Sequence, residues 1–360
     1  MKRIYVCHTY YHVFVTMLKE LNIRDRENDQ VTLVLSKMSN DFETLKERAE
    51  KSGVFSDVIE FDEKRETFFP ELAKYKKDKG NIVLNMISRI IFTKKFAKLQ
   101  EKYIPVDFKK YDDIYVFCDS DPIGYYLNRN RIRYHAMEDG LDSLKPCVLA
   151  IYDNRSCFAM KKFFSMNLNL IFIQDGYSKY CIDMEVNDKS VIDNEFHKYK
   201  EVNRNKLKES LSDADREILI SVFIRDMDAF KSVTEKAGKN GILILTEPLC
   251  ELDVRKQIFS DIIDMFKDEG EIFIKPHPRD LLDYNENFPQ YWVFDRSVPM
   301  EVFGLFRGIR FKKVVSVYTQ LGMIDFADEK VLLWHDFMDK YEAPEIHRKK
   351  EILDASMNRK

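Results

Sequence analysis

The chain is poor in the features that most often announce a function. Its six cysteines (Cys7, Cys118, Cys147, Cys157, Cys181 and Cys250) are scattered, with no Cys-x-x-Cys pair. That spacing argues against a zinc site and a disulfide framework, and it suits a reducing cytoplasm. An excess of one charge is missing too: 58 Lys and Arg face 61 Asp and Glu, a net charge of −3. Nothing in that balance asks for a nucleic-acid partner. No stretch approaches the roughly 18 consecutive apolar residues that span a bilayer. The opening Met1-Lys2-Arg3 resembles a signal peptide, but His8, Thr9, Tyr10, Tyr11 and His12 interrupt the apolar run before it is long enough. A soluble, cytoplasmic protein is expected, with any membrane contact peripheral. Internal repeats and low-complexity segments are absent, as are Walker, Gly-x-Gly-x-x-Gly, Gly-x-Ser-x-Gly and His-Glu-x-x-His motifs.

What is present is an alternation of strands and helices. Hydrophobic residues make up 45% of the 360, enough for ordinary cores, and the length favours two domains. "RIYVCHT" (3–9), "QVTLVLS" (30–36), "DVIEF" (57–61), "DDIYVFCDSD" (112–121) and "RYHAMEDG" (133–140) read as buried strands, with helical "HVFVTMLKEL" (12–21) after the first. Gly53 reads as a helix stop. Such alternation predicts parallel sheets covered on both faces. The segment 89–111 is basic and interleaved with aromatics, which suits a solvated amphipathic helix or a surface for anionic lipid. Residues 192–239 are charged and helical in pattern. After Gly241 come five strands: "GILILTEP", "EIFIKPHP", "YWVFDRS", "KKVVSVYTQ" and "KVLLWHD". Their crossovers read as helices at 253–270, at 299–308 with Pro299 in its first turn, and at 321–328. The segment 343–357 reads as a last helix. Domains are expected at 1–190 and 241–340, joined by a helical linker at 191–240 and closed by a C-terminal helix at 341–360.

In open parallel sheets, ligands bind outside the carboxyl ends of the strands. The second domain gathers its polar residues there: Thr246-Glu247-Pro248, Lys275-Pro276-His277-Pro278, Asp295-Arg296-Ser297 and Ser316 to Gln320. His277, held between two prolines, suits contact with a phosphate or leaving group, with Lys275 adding positive charge; the alternative is a histidine satisfied by local backbone. Thr319 and Gln320 precede the helix predicted at 321–328, whose free N–H groups would favour phosphate. Ser297 and Glu301 fit a capped helix start, or a carboxylate on the two hydroxyls of a ribose. In the first domain, Glu138 and Asp139 end a strand and could supply a general base. "CDSD" (118–121) resembles a metal-chelating Asp-x-Asp, but nothing in the sequence completes a coordination shell, and Asp121-Pro122 reads as a helix start.

Taken in order, "HTYYHVFVTMLK", "EDGLDS", "ILILTEPL", "FIKPHPRD", "VPMEVF" and "VVSVYTQLG" resemble bacterial sialyltransferases, most closely those of glycosyltransferase family 52, the lipooligosaccharide and capsule enzymes. Residues 62–110 and 185–238 carry no such motif. The resemblance implies an α/β GT-B fold, two Rossmann-like domains whose parallel sheets face a central cleft. It implies an inverting transfer of sialic acid from CMP-sialic acid, or a related CMP-sugar, to an acceptor hydroxyl. No metal and no cofactor would be required. Asp139 would be the base, with Glu138 beside it, and His277 would hold or protonate the departing CMP phosphate. Thr246, Glu247, Lys275, Pro276, Ser297, Glu301, Ser316, Thr319 and Gln320 would line the nucleotide site. His8, Tyr10, Tyr11 and Asp121 would face the acceptor glycan, and the resemblance is compatible with a lipid-linked acceptor at the inner face of the membrane. A homodimer is compatible with the family.

Two departures stand out. The family loop often carries adjacent Ser/Thr hydroxyls, whereas Gln320 follows Thr319 here. Some members of the family would place the base in the second domain, where Glu247, Glu251 and Asp253 rival Asp139. Two alternatives accompany this reading. One is a CDP-polyol phosphotransferase of teichoic-acid type, which shares the Lys-Pro-His-Pro and Ser-x-Tyr-Thr patterns. The other is a nucleotide-sugar-binding protein without catalysis.

Overall fold

A computed structural model describes residues 1–348 except 26, 141, 142, 145–147, 195, 307 and 323. The chain divides into two compact units, Met1–Leu211 and Ser212–Lys360.

The first unit holds a seven-stranded sheet of β1 (Lys2–Cys7), β2 (Gln30–Ser36), β3 (Asp57–Phe61), β4 (Asp113–Phe117), β5 (Tyr134–Met137), β6 (Cys181–Val186) and β7 (Tyr199–Glu201). Its order is β3-β2-β1-β4-β5-β6-β7, and every described pair is parallel. Apolar runs make the central strands: Ile4, Val6, Val34 and Val116 are fully buried in one core with Leu127 and Ile173. Helix Tyr10–Ile23 begins ahead of the predicted 12–21 because the Thr9 side chain accepts from the His12 amide at 3.1 Å and caps it there. Its far end is pinned by buried ions. Arg3 donates to Glu20 at 2.9 and 2.8 Å, and Lys19 donates to Glu185 of β6 at 2.7 Å. Helix Pro122–Arg129 carries Pro122 in its first turn. Gly124 is required there, since a Cβ would stand 1.9 Å from the Asp119 carbonyl oxygen.

Strands β6 and β7 went unread in the sequence because their charged residues break the apolar pattern; Glu185 is buried only because Lys19 meets it. The region 191–240 is accordingly shared out. Its first part supplies β7 and helix Arg204–Glu209 to the first unit, and helices Asp213–Phe223 and Met227–Ala237 belong to the second.

The second unit holds β8 (Gly241–Leu245), β9 (Glu271–Lys275), β10 (Trp292–Val293), β11 (Phe311–Ser316) and β12 (Ala327–Leu332), in the order β10-β9-β8-β11-β12, again all parallel. Helix Leu252–Phe266 buries Ile258, Phe259, Ile262 and Ile263 against this sheet's core. It stops at Phe266, before Gly270; that glycine instead allows the chain to pass Asn240, whose carbonyl oxygen would lie 2.2 Å from a Cβ. Two predicted crossover helices differ. Residues 299–308 form only a 3-10 helix at Met300–Leu305. The described residues of 321–328 form no helix at all. The reason is length: ten residues separate β11 from β12, short of the dozen or more of a helical crossover. They bury Leu321, Ile324 and Phe326 instead. The C-terminal segment shows helix Pro344–His347, and residues 349–360 of the predicted last helix lie outside the described residues. Among the described residues, no helix is long and apolar enough to cross a membrane.

Candidate active site

Each sheet reverses its strand order once. In the first unit this happens between β1 and β4, and the loops that leave the carboxyl ends of these strands carry a cluster of ionisable groups. His12, on the first turn of its helix, stacks on Phe117 at a ring separation of 4.3 Å. Its Nδ1 accepts from the His8 amide at 3.0 Å, which places the proton on Nε2. That Nε2–H points at Asp139, 2.8 Å from Oδ1 and 3.0 Å from the backbone oxygen. Burial, partly offset by Asp139, lowers the His12 pKa, so the ring is neutral.

Asp139 itself is 61% exposed at its side chain. Burial by its surroundings would raise its pKa, but the His12 hydrogen bond and the nearby histidines hold it well below the usual carboxylate range. Cys118, at a positive φ of 51°, also donates its thiol to Asp139 Oδ1 at 2.9 Å. Asp139 is therefore ionised, oriented and open on one side.

His8 behaves in the opposite way. It is buried, and burial alone would lower its pKa. Glu63, 2.8 Å from Nε2, overrides that and, with Asp121 at 3.4 Å, raises it to about 8. Glu63 is tied down in turn by the Ser36 hydroxyl at 2.6 Å and the Ile123 amide at 2.8 Å. Burial raises Asp121 to about 6. The two acids of "CDSD" diverge. Asp119 turns inward to accept from the Tyr134 hydroxyl at 2.9 Å and the Asp175 amide at 3.0 Å, and burial raises it to about 6. Glu138 also turns inward, accepting from the Asn187 amide at 2.6 Å. Tyr10 is buried against Phe42, and Tyr11 is half-buried beside His12.

Ligand atoms of His8, His12 and Cys118 lie within 4.8 Å of one another, the one such metal-compatible group among the described residues. The His12 ring and the Cys118 thiol are already spent on Asp139 and the His8 amide. A metal there would have to break those bonds.

In the second unit the reversal falls between β8 and β11. The residues after these strands meet: the Glu247 carboxylate accepts from the Ser316 hydroxyl at 2.9 Å, the Tyr318 amide at 3.0 Å, the Thr319 hydroxyl at 2.6 Å and the Thr319 amide. Gln320 is exposed. Beside them, the loop after β9 is locked from below. Asp280 accepts from Arg255 at 2.6 Å, Tyr284 at 2.8 Å and Thr246 at 3.0 Å, and Thr246 accepts from the His277 amide at 3.1 Å. The His277 Nδ1 accepts from the Arg279 amide at 3.1 Å, which places the ring proton on Nε2. Burial, with Arg279 and Lys275 nearby, lowers the His277 pKa to about 4. Lys275 is buried behind Pro276, donating to the Pro276 carbonyl at 2.7 Å, and burial lowers its pKa to about 8. Ser297 donates to Asp295 at 2.7 Å and caps no helix. Glu301 lies in the 3-10 helix and half-buried.

Several of these groups were not singled out in the sequence. Glu63, Arg255 and the roles of His12 and Cys118 depend on contacts across 55, 25, 127 and 21 residues respectively. The one local signal was position: Glu63 follows directly on a strand's carboxyl end.

Two all-parallel sheets, each with polar loops at its strand reversal, are the architecture of the GT-B fold. The GT-B portion of a sialyltransferase from Photobacterium damselae superposes with a TM-score of 0.51 at 10% identity, over 89% of this chain and 86% of that one. An α/β-galactoside α-2,3-sialyltransferase from Photobacterium phosphoreum gives 0.51 at 12%, over 92% and 90%. A 2,6-sialyltransferase from a Photobacterium species, solved with CMP and lactose, gives 0.57 at 11%, over 92% and 71%. At such identities the likeness is one of fold. The family model for glycosyltransferase family 52 matches residues 52–331, most of the chain, and the chain belongs to that family. An uncharacterized protein of Haemophilus influenzae is 31% identical over 94 residues, 25% of this chain. This chain spans 30% of the length of that relative.

Proposed function

We propose that the protein transfers sialic acid, or a closely related sugar, from its CMP-activated form to a hydroxyl of an acceptor glycan, with inversion and without a metal. The observation that carries this reading is Asp139, an exposed carboxylate kept ionised by His12 at the strand reversal of the first sheet. An attacking hydroxyl grows acidic as its bond to the sugar forms, so an ionised carboxylate of low basicity can take the proton late in the step. As the bond to CMP breaks, negative charge gathers on the phosphate. A neutral imidazole whose ring is already held by a backbone hydrogen bond can donate its Nε2–H to that charge with little reorganisation, which is how a preorganised donor lowers a barrier. His277 supplies that donor. It acts as a hydrogen-bond donor first, since with a pKa of about 4 it carries no proton to give away at neutral pH.

Thr246, Asp280 and Arg255 are positioning residues in this scheme, and Glu301 suits the ribose. Glu251 and Asp253, at the exposed start of helix Leu252–Phe266, are less suited than Asp139, because no histidine orients them. A lipid-linked acceptor, cytoplasmic membrane association and a homodimer belong to the same proposal. The test is a donor screen: purified full chain, CMP-sialic acid and lactose, read by the mass of the product. A sialylated product is expected. Stabilisation by CDP-glycerol, with no transfer from CMP-sialic acid, would overturn the reading in favour of a polyol phosphotransferase.

A further inference from the structure

The loop Ser316–Thr319 offers more donors than its present occupant can use. Four groups converge on Oε1 of Glu247: the hydroxyls of Ser316 and Thr319 and the amides of Tyr318 and Thr319. A carboxylate oxygen has about two lone-pair sites. Only the Tyr318 amide also reaches the second oxygen, at 3.0 Å. Successive backbone N–H groups flanked by hydroxyls form an anion-binding concavity. A phosphate, with three acceptor oxygens, would spread these donors more evenly than one carboxylate oxygen can.

Position supports the same conclusion. Glu247 is buried and follows β8, the nest follows β11, and the two strands flank the reversal where parallel sheets bind ligands. The loop is anchored at its start. Ser316 ends a strand whose Val314 and Val315 are fully buried.

We infer that Ser316, Tyr318 and Thr319 form a phosphate site whose resident ligand is the protein's own Glu247 carboxylate, and that a phosphate enters by displacing it. Glu247 is thereby a specificity-determining residue, setting how strongly an anion must bind to be retained. Weak anions fail to displace it, and a nucleotide held also through its base and ribose succeeds. That the natural phosphate is part of a CMP-sugar rests on the proposed function; the nest and its occupant do not.

The experiment is calorimetric titration of the full chain and its Glu247→Gln and Glu247→Ala variants with inorganic phosphate, CMP and cytidine. Glutamine keeps the volume, so it serves if the alanine variant fails to fold. Both variants should bind inorganic phosphate and CMP at least about tenfold more tightly than the unaltered chain, with cytidine unchanged. Adding Ser316→Ala and Thr319→Val to Glu247→Gln should abolish the gain. Phosphate binding that is unchanged or weaker in folded Glu247→Gln would overturn the inference and make Glu247 a support of the loop. A parallel transfer assay separates the two claims. Tighter phosphate binding without transfer from CMP-sialic acid leaves the nest standing and removes the CMP-sugar reading. Transfer with no phosphate response does the reverse.

Discussion

The two strand reversals solve one problem in opposite ways. Each has a histidine beside it, His8 buried and His277 half-buried, and burial alone would strip the proton from both. At the first, Glu63 and Asp121 outweigh burial and bring His8 to about 8. At the second, burial itself, with Arg279 and Lys275 adding to it, takes His277 to about 4. The sign of the neighbouring charges decides whether burial is overridden, as at His8, or reinforced, as at His277. The same contrast holds for the acids. Asp139 is one carboxylate sharpened by its neighbours and left open, whereas Glu247 is enclosed by four donors.

That contrast can be broken at specific points. The largest effect is expected from Asp139→Asn, which keeps the shape and removes the charge. Turnover should fall by up to about 10⁴-fold in a variant that still folds, with some loss of stability because the depressed Asp139 pKa marks a stabilising charge; near-normal turnover would transfer the role of base to Glu251 or Asp253. Next, Asp280→Asn leaves the Arg255 guanidinium buried without its anion. A loss of about 3–5 kcal/mol is expected in chemical denaturation, whereas Arg255→Met with Asp280→Leu should recover much of it. His277→Asn should lower kcat by about 10²-fold while the fold survives. Wild-type turnover in that variant would return the imidazole to a local backbone contact.

The smallest effect tests the histidine comparison itself. The folded pKa of His8 lies above its unfolded value of about 6.5. Its contribution, of order 2 kcal/mol, is complete below pH 6.5 and is lost as pH rises through 8. For His277 the folded pKa lies below 6.5. Its contribution is present above 6.5 and is lost as pH falls through 4. Glu63→Gln should erase the first window and leave the second, as read from imidazole NMR titrations and denaturation between pH 4 and 9. If both windows persist, the anion beside His8 is not the cause.

Much of this was legible because it is local. Apolar runs marked β1 to β5 and β8, β9 and β11, helical spacing marked the helix after β1, and the prolines around His277 marked the end of a strand. The reading failed where a distant partner changes the cost of burial. Nothing in "CIDMEV" announces a buried strand, since Glu185 is tolerable only with Lys19 against it, 166 residues away. The helix expected after Gln320 had suitable residues but too short a span.

Which residue types stand at the carboxyl ends of the strands is written in the sequence: the acid at 139, the histidines at 8, 12 and 277, the hydroxyls at 316 and 319. Spacing along the chain is enough for that, because hydrophobic period and turn chemistry act over a few residues. Their states are set by packing between distant parts of the chain. Whether His8 is charged, whether Asp139 is oriented and whether the Ser316–Thr319 loop is empty or filled depend on which groups arrive from elsewhere within a few ångströms. Electrostatics inside a protein is settled by those distances and by the exclusion of water, and neither can be read along a chain.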